Sequence, residues 1–163
     1  MKPLRTLRQI AAYIWVAPNT LLGLLAGALV LSFGGTAQRR RGVIEFSGGA
    51  LGVVAGKAPR SIRFSAVTFG HVILAIGQSE LAAAREHEHV HVRQYELWGP
   101  FFLLAYAASS TWQVLRGRRA YSDNYFERQA YAIEEQRPGV ASNVTAHRTR
   151  SNSARAAAAL LRR

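Results

Sequence analysis

The 163-residue sequence contains no cysteine. Disulfide bonds and thiolate metal sites are therefore excluded, and any metal ion would be bound by histidine and carboxylate side chains. Acidic residues are also few: the sequence has 9 Asp and Glu and 21 Lys and Arg, which gives a formal net charge of +12. A field of this sign attracts nucleic acids and anionic lipids, and the hydrophobic fraction of 49% favours lipid. The sequence has no nucleic-acid-binding motif, so we expect no specific nucleic-acid partner.

Charge is absent from one long segment near the start of the chain. Residues 10–33 (IAAYIWVAPNTLLGLLAGALVLSF) carry no charged side chain, and at about 1.5 Å per residue such a helix crosses a hydrocarbon core of about 30 Å. The run is longer than the apolar region of a secretory signal and lacks a cleavage site followed by polar sequence. We therefore predict an anchor retained in the lipid bilayer, within residues 1–38.

Three residues interrupt this anchor. Pro18 frees a backbone carbonyl and kinks a helix unless neighbouring groups compensate, so a helical hairpin that enters one leaflet is an alternative to a span. Gly23 and Gly27 form a small-xxx-small pair that would let another helix approach closely, although glycine is also common in membrane helices.

Two segments beyond the anchor are rich in Val, Ile and Phe and are interrupted by glycine, namely residues 42–55 and 62–77. Both are too short to span a membrane, and they predict the strands of a small antiparallel sheet. His71 lies in the second segment, where a lone histidine is expected to be a hydrogen-bonded structural residue.

Residues 80–98 (ELAAAREHEHVHVRQYELW) are predicted to form one helix, because Ser79 offers an N-cap and Gly99-Pro100 is a strong stop signal. The apolar residues 100–115 predict a second helix, which is marginal for a span and would lie in the bilayer, against it, or against the site. Asp123-Asn124 then caps a third predicted helix, at residues 125–136.

The first of these helices carries an H-E-x-x-H arrangement. His87 and His91 lie four positions apart and hence on one face, with Glu88 beside them. In this arrangement two imidazoles bind zinc and the carboxylate activates a metal-bound water. Eight of the nine acidic residues and three of the five histidines fall between positions 80 and 135, as a cation site requires.

An alternative reading uses the alternation of His87, His89 and His91. On a strand these side chains would share one face and could form a three-histidine site without the glutamate. On a helix His89 points away from the metal and lies either at the surface or behind the ligands. The flanking helix signals favour the helix.

The segment HEHVH at residues 87–91, followed by a helix that contains ERQA at residues 127–130, resembles the glutamate-zincin metallopeptidases. In that family a glutamate on a second helix completes the zinc site. The resemblance implies His87, His91 and Glu127 as metal ligands and Glu88 as general base. Glu134 lies on the same helix face as Glu127 and could take the third position. Zinc is the expected metal, and other divalent ions also bind His and carboxylate ligands.

The segment HVRQYE at residues 91–96 also resembles small uncharacterised bacterial membrane proteins with an H-E-x-x-H helix, which implies location in a bacterial inner membrane. The predicted fold is an α+β membrane protein. It has an anchor at residues 1–38 and a zincin-like metal-binding domain at residues 39–136. A basic tail at residues 137–163 is predicted to be disordered; its charge either contacts anionic lipid or has no specific role.

The predicted function is a membrane-bound zinc-dependent hydrolase that acts on a peptide or membrane-protein substrate near the bilayer. The alternative is a non-catalytic membrane protein in which the same residues form a structural or metal-sensing site.

Overall fold

The computed structural model describes residues 2–49, 51–53 and 65–136; the predicted basic tail lies outside them. The fold is α+β, and its elements in chain order are α1 (Lys2–Ser32), β1 (Gly35–Arg40), β2 (Val43–Gly48), β3 (Ala66–Phe69), β4 (Val72–Ala75), α2 (Gln78–Trp98), α3 (Phe102–Leu115) and α4 (Tyr125–Glu135). A 3-10 turn at Gly99–Phe101 joins α2 to α3.

The four strands form one mixed sheet in the order β1-β2-β4-β3. The hairpins β1/β2 and β3/β4 are antiparallel, whereas β2 and β4 pair in parallel at the centre. The prediction of an antiparallel sheet is therefore wrong at the central pair. The physical reason is that β3 takes the far edge, so β4 returns beside β2, and strand composition does not reveal such a crossover.

The edge strand β1 was not predicted at all. Its sequence, GTAQRR, is almost entirely exposed and has no apolar alternation, so its stability comes from backbone pairing with β2. The connecting turn places Arg41 and Gly42 at φ values of 50° and 83°, as a two-residue type I′ hairpin turn requires. The end of the predicted anchor, residues 35–38, therefore belongs to the first strand of the sheet.

The sheet is packed on both faces. Alternate residues of β4 point to opposite sides: Ile73 and Ala75 join a core with Leu81 and Val92 of α2. Val72 and Leu74 join a second core with Val30 of α1. The molecule is therefore layered, with α1 on one face of the sheet and α2 on the other.

Helix α1 is long and apolar enough to cross a membrane over Gln9–Ser32, where its mean hydropathy is 1.9. It runs without a break through Pro18, so the hairpin alternative is wrong. A Cβ at Gly23 would lie 2.7 Å from Cβ of Val72, and one at Gly27 would overlap the Phe46 ring. The glycine pair thus allows the sheet, not another helix, to approach α1.

Helix α2 confirms the predicted helix, although its first residue differs. Its N-cap is Gly77, and the Ser79 hydroxyl donates to Glu80 Oε2 at 2.8 Å instead of capping the backbone. The predicted Ser79 cap is therefore wrong. The helix ends at Trp98, where Gly99 has φ of 56°. Because residues 87–91 are helical, the strand alternative with three histidines on one face is also wrong.

Helices α3 and α4 complete the surroundings of the site. Asn124 caps α4 as predicted, because its Oδ1 accepts from the Phe126 N–H at 2.8 Å. The Asn124 amide also donates to Tyr106 O at 3.0 Å and to Ser110 Oγ at 2.7 Å. The cap of α4 is thereby attached to α3, and this attachment sets the position of Glu127.

Candidate metal centre

Two residues of α2 and one of α4 meet at a buried point. His87 Nε2 lies 3.2 Å from His91 Nε2 and 3.2 Å from Glu127 Oε2, and His91 Nε2 lies 3.3 Å from Glu127 Oε1. Ligand atoms at tetrahedral angles and about 2.0–2.1 Å from a zinc ion lie about 3.3–3.4 Å from one another. The three side chains therefore fit a metal, and this buried group could bind one.

The tautomer of His91 suits a metal ligand. Gln94 Nε2 donates to Phe126 O at 3.0 Å and to Gln129 Oε1 at 2.8 Å. The amide oxygen of Gln94 consequently faces His91 Nδ1, at 2.8 Å, and accepts its hydrogen. With Nδ1 protonated, the lone pair of Nε2 points at the centre, which is the usual way in which an outer hydrogen bond orients a histidine ligand.

The carboxylate of Glu127 is kept ionised. Burial alone would raise the pKa of Glu127, but hydrogen bonds from His87, His91 and Tyr106 outweigh it and hold the pKa far below its usual range. Tyr106 donates to Oε1 at 2.7 Å. Burial lowers the pKa of His91, but its hydrogen bond to Glu127 and the charges of Glu88 and Glu127 raise it above its ordinary value.

Glu134 lies behind His87, outside the ligand triangle. Its Oε2 is 3.4 Å from His87 Nδ1, an ion-pair distance without hydrogen-bond geometry, and the Tyr131 ring packs on His87 with centroids 4.6 Å apart. Of the two glutamates left open by the sequence, the structure brings Glu127 to both inner nitrogens.

Glu88 is buried beside the cluster, and its carboxylate is hydrogen-bonded to the sheet. Its Oε2 accepts from Thr68 Oγ1 of β3 at 2.7 Å. Burial raises the pKa of Glu88, against the opposing effects of His91 and of the Thr68 hydrogen bond. No sequence motif pointed to Thr68, because its role depends on the pairing of β3 and its packing on α2.

A cavity of about 1020 Å³ opens over the cluster, which is the upper size range of small-ligand sites. His87, Glu88, His91 and Glu127 all line it. Both faces of β3 contribute, through Thr68 on one side and Val67 on the other. Most of the other walls are apolar or aromatic residues of β3, β4, α2 and α3: Val67, Phe69, Leu74, Tyr95, Phe102, Leu103 and Tyr106. The cavity therefore extends around the edge of the sheet towards the α1 side.

His89 points away from the cluster, as expected for a helix, but it is buried and not at the surface. Its Nε2 lies 3.9 Å from Oε1 of Glu45, and Arg85 binds that fully buried carboxylate through Nε at 2.9 Å. Burial and the charge of Arg41 lower the pKa of His89. Glu45 was missed, although a single acid within an apolar strand was a usable signal. His71 Nε2 contacts Glu96 at 3.1 Å, in agreement with a structural role.

Comparisons of the chain with protein-family models, with curated proteins and with solved structures found no match.

Proposed function

We propose that the protein is a membrane-bound zinc-dependent hydrolase of the glutamate-zincin type, acting on peptide bonds close to the bilayer. The observation that carries the proposal is the separation of roles within one buried site. Three side chains, His87, His91 and Glu127, converge at metal-ligand spacing. Glu88, which is not among them, opens on the same cavity.

The residues of the chain fit the steps of peptide hydrolysis. When bound, zinc supplies Lewis acidity towards water and a carbonyl group. The Glu88 carboxylate is placed to accept a proton from the attacking water and to give it to the leaving amine as the C–N bond breaks. Its raised pKa brings the group closer to the operating pH, as an efficient acid–base catalyst requires. Gln94 holds the His91 imidazole in position through a hydrogen bond, and Glu134 lies beside the His87 imidazole.

Two features support a peptide substrate near a membrane. Among the described strands β3 pairs only with β4. Backbone groups on its outer edge could therefore bond an extended peptide, apart from Thr68 O, which accepts from the Tyr95 hydroxyl at 3.1 Å. This edge adjoins Glu88 through Thr68. The cavity continues past Phe69, a residue that contacts the long apolar helix α1 at Gly23. A substrate held at the bilayer could thus reach the cluster.

A non-catalytic site is the second candidate, because the burial of all three ligands and the link between α2 and α4 would also suit a structural metal. Glu88→Gln separates the two. In a hydrolase it should retain the metal and lower turnover about 100-fold or more. The matched control is Glu86→Gln, on the same helix but outside the cavity.

The measurement is cleavage of membrane-embedded peptides by the full chain in mild detergent, together with metal content. Equal turnover of Glu88→Gln and Glu86→Gln would contradict the role of Glu88. Full metal occupancy with no cleavage in the wild-type protein would favour the structural site.

A further inference from the structure

The candidate span of α1 contacts the folded domain on successive turns from Tyr13 to Val30. The Tyr13 hydroxyl donates to Gly42 O at 2.9 Å, and the Asn19 amide donates to Gly99 O at 2.9 Å. Further along the helix, the contacts are Thr20 with the His71 N–H, Gly23 with Val72, Gly27 with Phe46, and Val30 with Gly35. No described turn of this stretch is free to be surrounded by lipid.

A bilayer that enclosed α1 would also enclose the sheet beside it. The edge strand β1 exposes Arg39 and Arg40, and it pairs with β2 on one side only among the described strands. Open sheet edges and unpaired arginines do not occur facing the hydrocarbon core, because nothing there satisfies their polar groups. Crossing by α1 is therefore incompatible with the packing of the domain on it.

The opposite side of α1 is apolar and exposed. Its outward residues repeat at helical spacing: Ile10, Ile14, Leu21, Leu25 and Leu29. Ile14 is 70% exposed and Leu25 is 68% exposed, too much for a helix at the centre of a core. We refer to these five residues as the apolar face of α1.

The apolar face continues onto the next helix. The exposed Trp15 and Phe101 rings are in contact, with centroids 6.2 Å apart, and α3 exposes Leu104, Trp112 and Leu115 beyond them. The Arg116 guanidinium lies 4.3 Å from the Trp112 ring centroid. Tryptophan and arginine side by side are typical of a membrane–water interface.

We propose that α1 lies in the plane of the membrane, with its apolar face and the exposed side of α3 inserted into one leaflet of an anionic lipid surface. The net charge of +12 complements anionic headgroups, and an amphipathic helix binds such a surface through its apolar side. Both ends of α1 and the metal cluster then lie on the same side of the membrane. The inference rests on the membrane attachment proposed above, and it is independent of hydrolysis.

The lack of cysteine allows a direct test with single-cysteine variants of the full chain. Lys2→Cys marks the start of α1, Arg39→Cys the sheet after its end, and Arg128→Cys the outer side of α4. Sealed membrane vesicles of one sidedness are treated with a membrane-impermeant maleimide, with and without detergent. We expect the ratio of labelling without detergent to labelling with detergent to be the same at all three positions. A Lys2 site on the opposite side from the other two would overturn the in-plane placement and leave the proposed hydrolase intact.

Vesicle sedimentation tests the lipid face itself. Wild-type protein should pellet with vesicles that contain anionic lipid, Leu25→Glu should lose most of this binding, and Arg128→Glu, an exposed residue on α4, should retain it. Wild-type protein that stays in the supernatant would overturn both the lipid face and the membrane attachment. If the wild-type protein instead forms a dimer and the Leu25→Glu variant is a monomer, the apolar face is a self-association surface and the proposal is wrong.

Discussion

At the residue scale, the candidate metal centre includes an amide, that of Gln94, which hydrogen-bonds His91 and lies outside the three candidate ligands. Gln94→Leu removes the acceptor of the His91 Nδ1 hydrogen, so the imidazole is free to rotate or to change tautomer. We expect metal affinity to fall about 10–100-fold, the usual effect of losing such a partner. A chelator competition titration measures this.

The matched control for Gln94 is Gln78→Leu, at an exposed position of the same helix where the amide contacts Thr36. The metal affinity of Gln78→Leu should equal that of the wild-type protein. Equal affinities for Gln94→Leu and Gln78→Leu would show that the amide does not orient His91.

The individual ligands were predictable to different degrees. The spacing of His87 and His91 fixes both on one helix face, so local geometry suffices for them. Glu127 and Glu134 share one face of α4, and their local sequence does not separate them. The position of α4 against α3 distinguishes the two glutamates. Asn124 of α4 bonds the Tyr106 carbonyl of α3, and the Tyr106 hydroxyl bonds Glu127. Tertiary contacts of that kind are not encoded in a local pattern.

At the element scale, α1 depends on close approach to the sheet. Gly27→Val would place a branched side chain in the Phe46 ring, and overpacking of this kind costs about 1–3 kcal/mol. Ala28→Val is the control, because Ala28 is exposed on the same turn and surface changes usually stay within about 0.5 kcal/mol.

Thermal unfolding of both α1 variants in the same detergent provides the comparison. We expect a clearly lower Tm for Gly27→Val alone. If α1 were an independent lipid-surrounded span, the two variants would have similar Tm values.

The elements also show what composition can and cannot predict. Hydropathy identified α1 correctly as a long apolar helix, the Gly99 stop signal located the end of α2, and the Asn124 cap located the start of α4. Hydropathy does not report what a helix packs against. The sequence therefore assigned all sides of α1 to lipid, although one side of the helix packs on the sheet. The polar strand β1 was missed because its pairing with β2, and not its side chains, stabilises it.

At the scale of the whole molecule, the sheet separates an exposed apolar surface from the candidate metal site. Helix α1 covers one face and leaves its own apolar side exposed, while α2 covers the other face and carries His87 and His91. The cavity joins the two sides around the edge strand β3. For the hydrolase that we propose, this arrangement would bring substrates held at a bilayer to the buried site.

We propose that His87, His91 and Glu127 bind one metal ion together. Metal analysis of the full chain, purified in mild detergent and equilibrated with zinc, tests it most directly when wild-type protein is compared with Glu127→Gln and Glu134→Gln. We predict about one zinc per chain in the wild-type protein and in Glu134→Gln, and loss of most of the metal in Glu127→Gln, because only Glu127 contacts both inner nitrogens. A wild-type protein without metal, or equal metal content in all three proteins, would contradict the account.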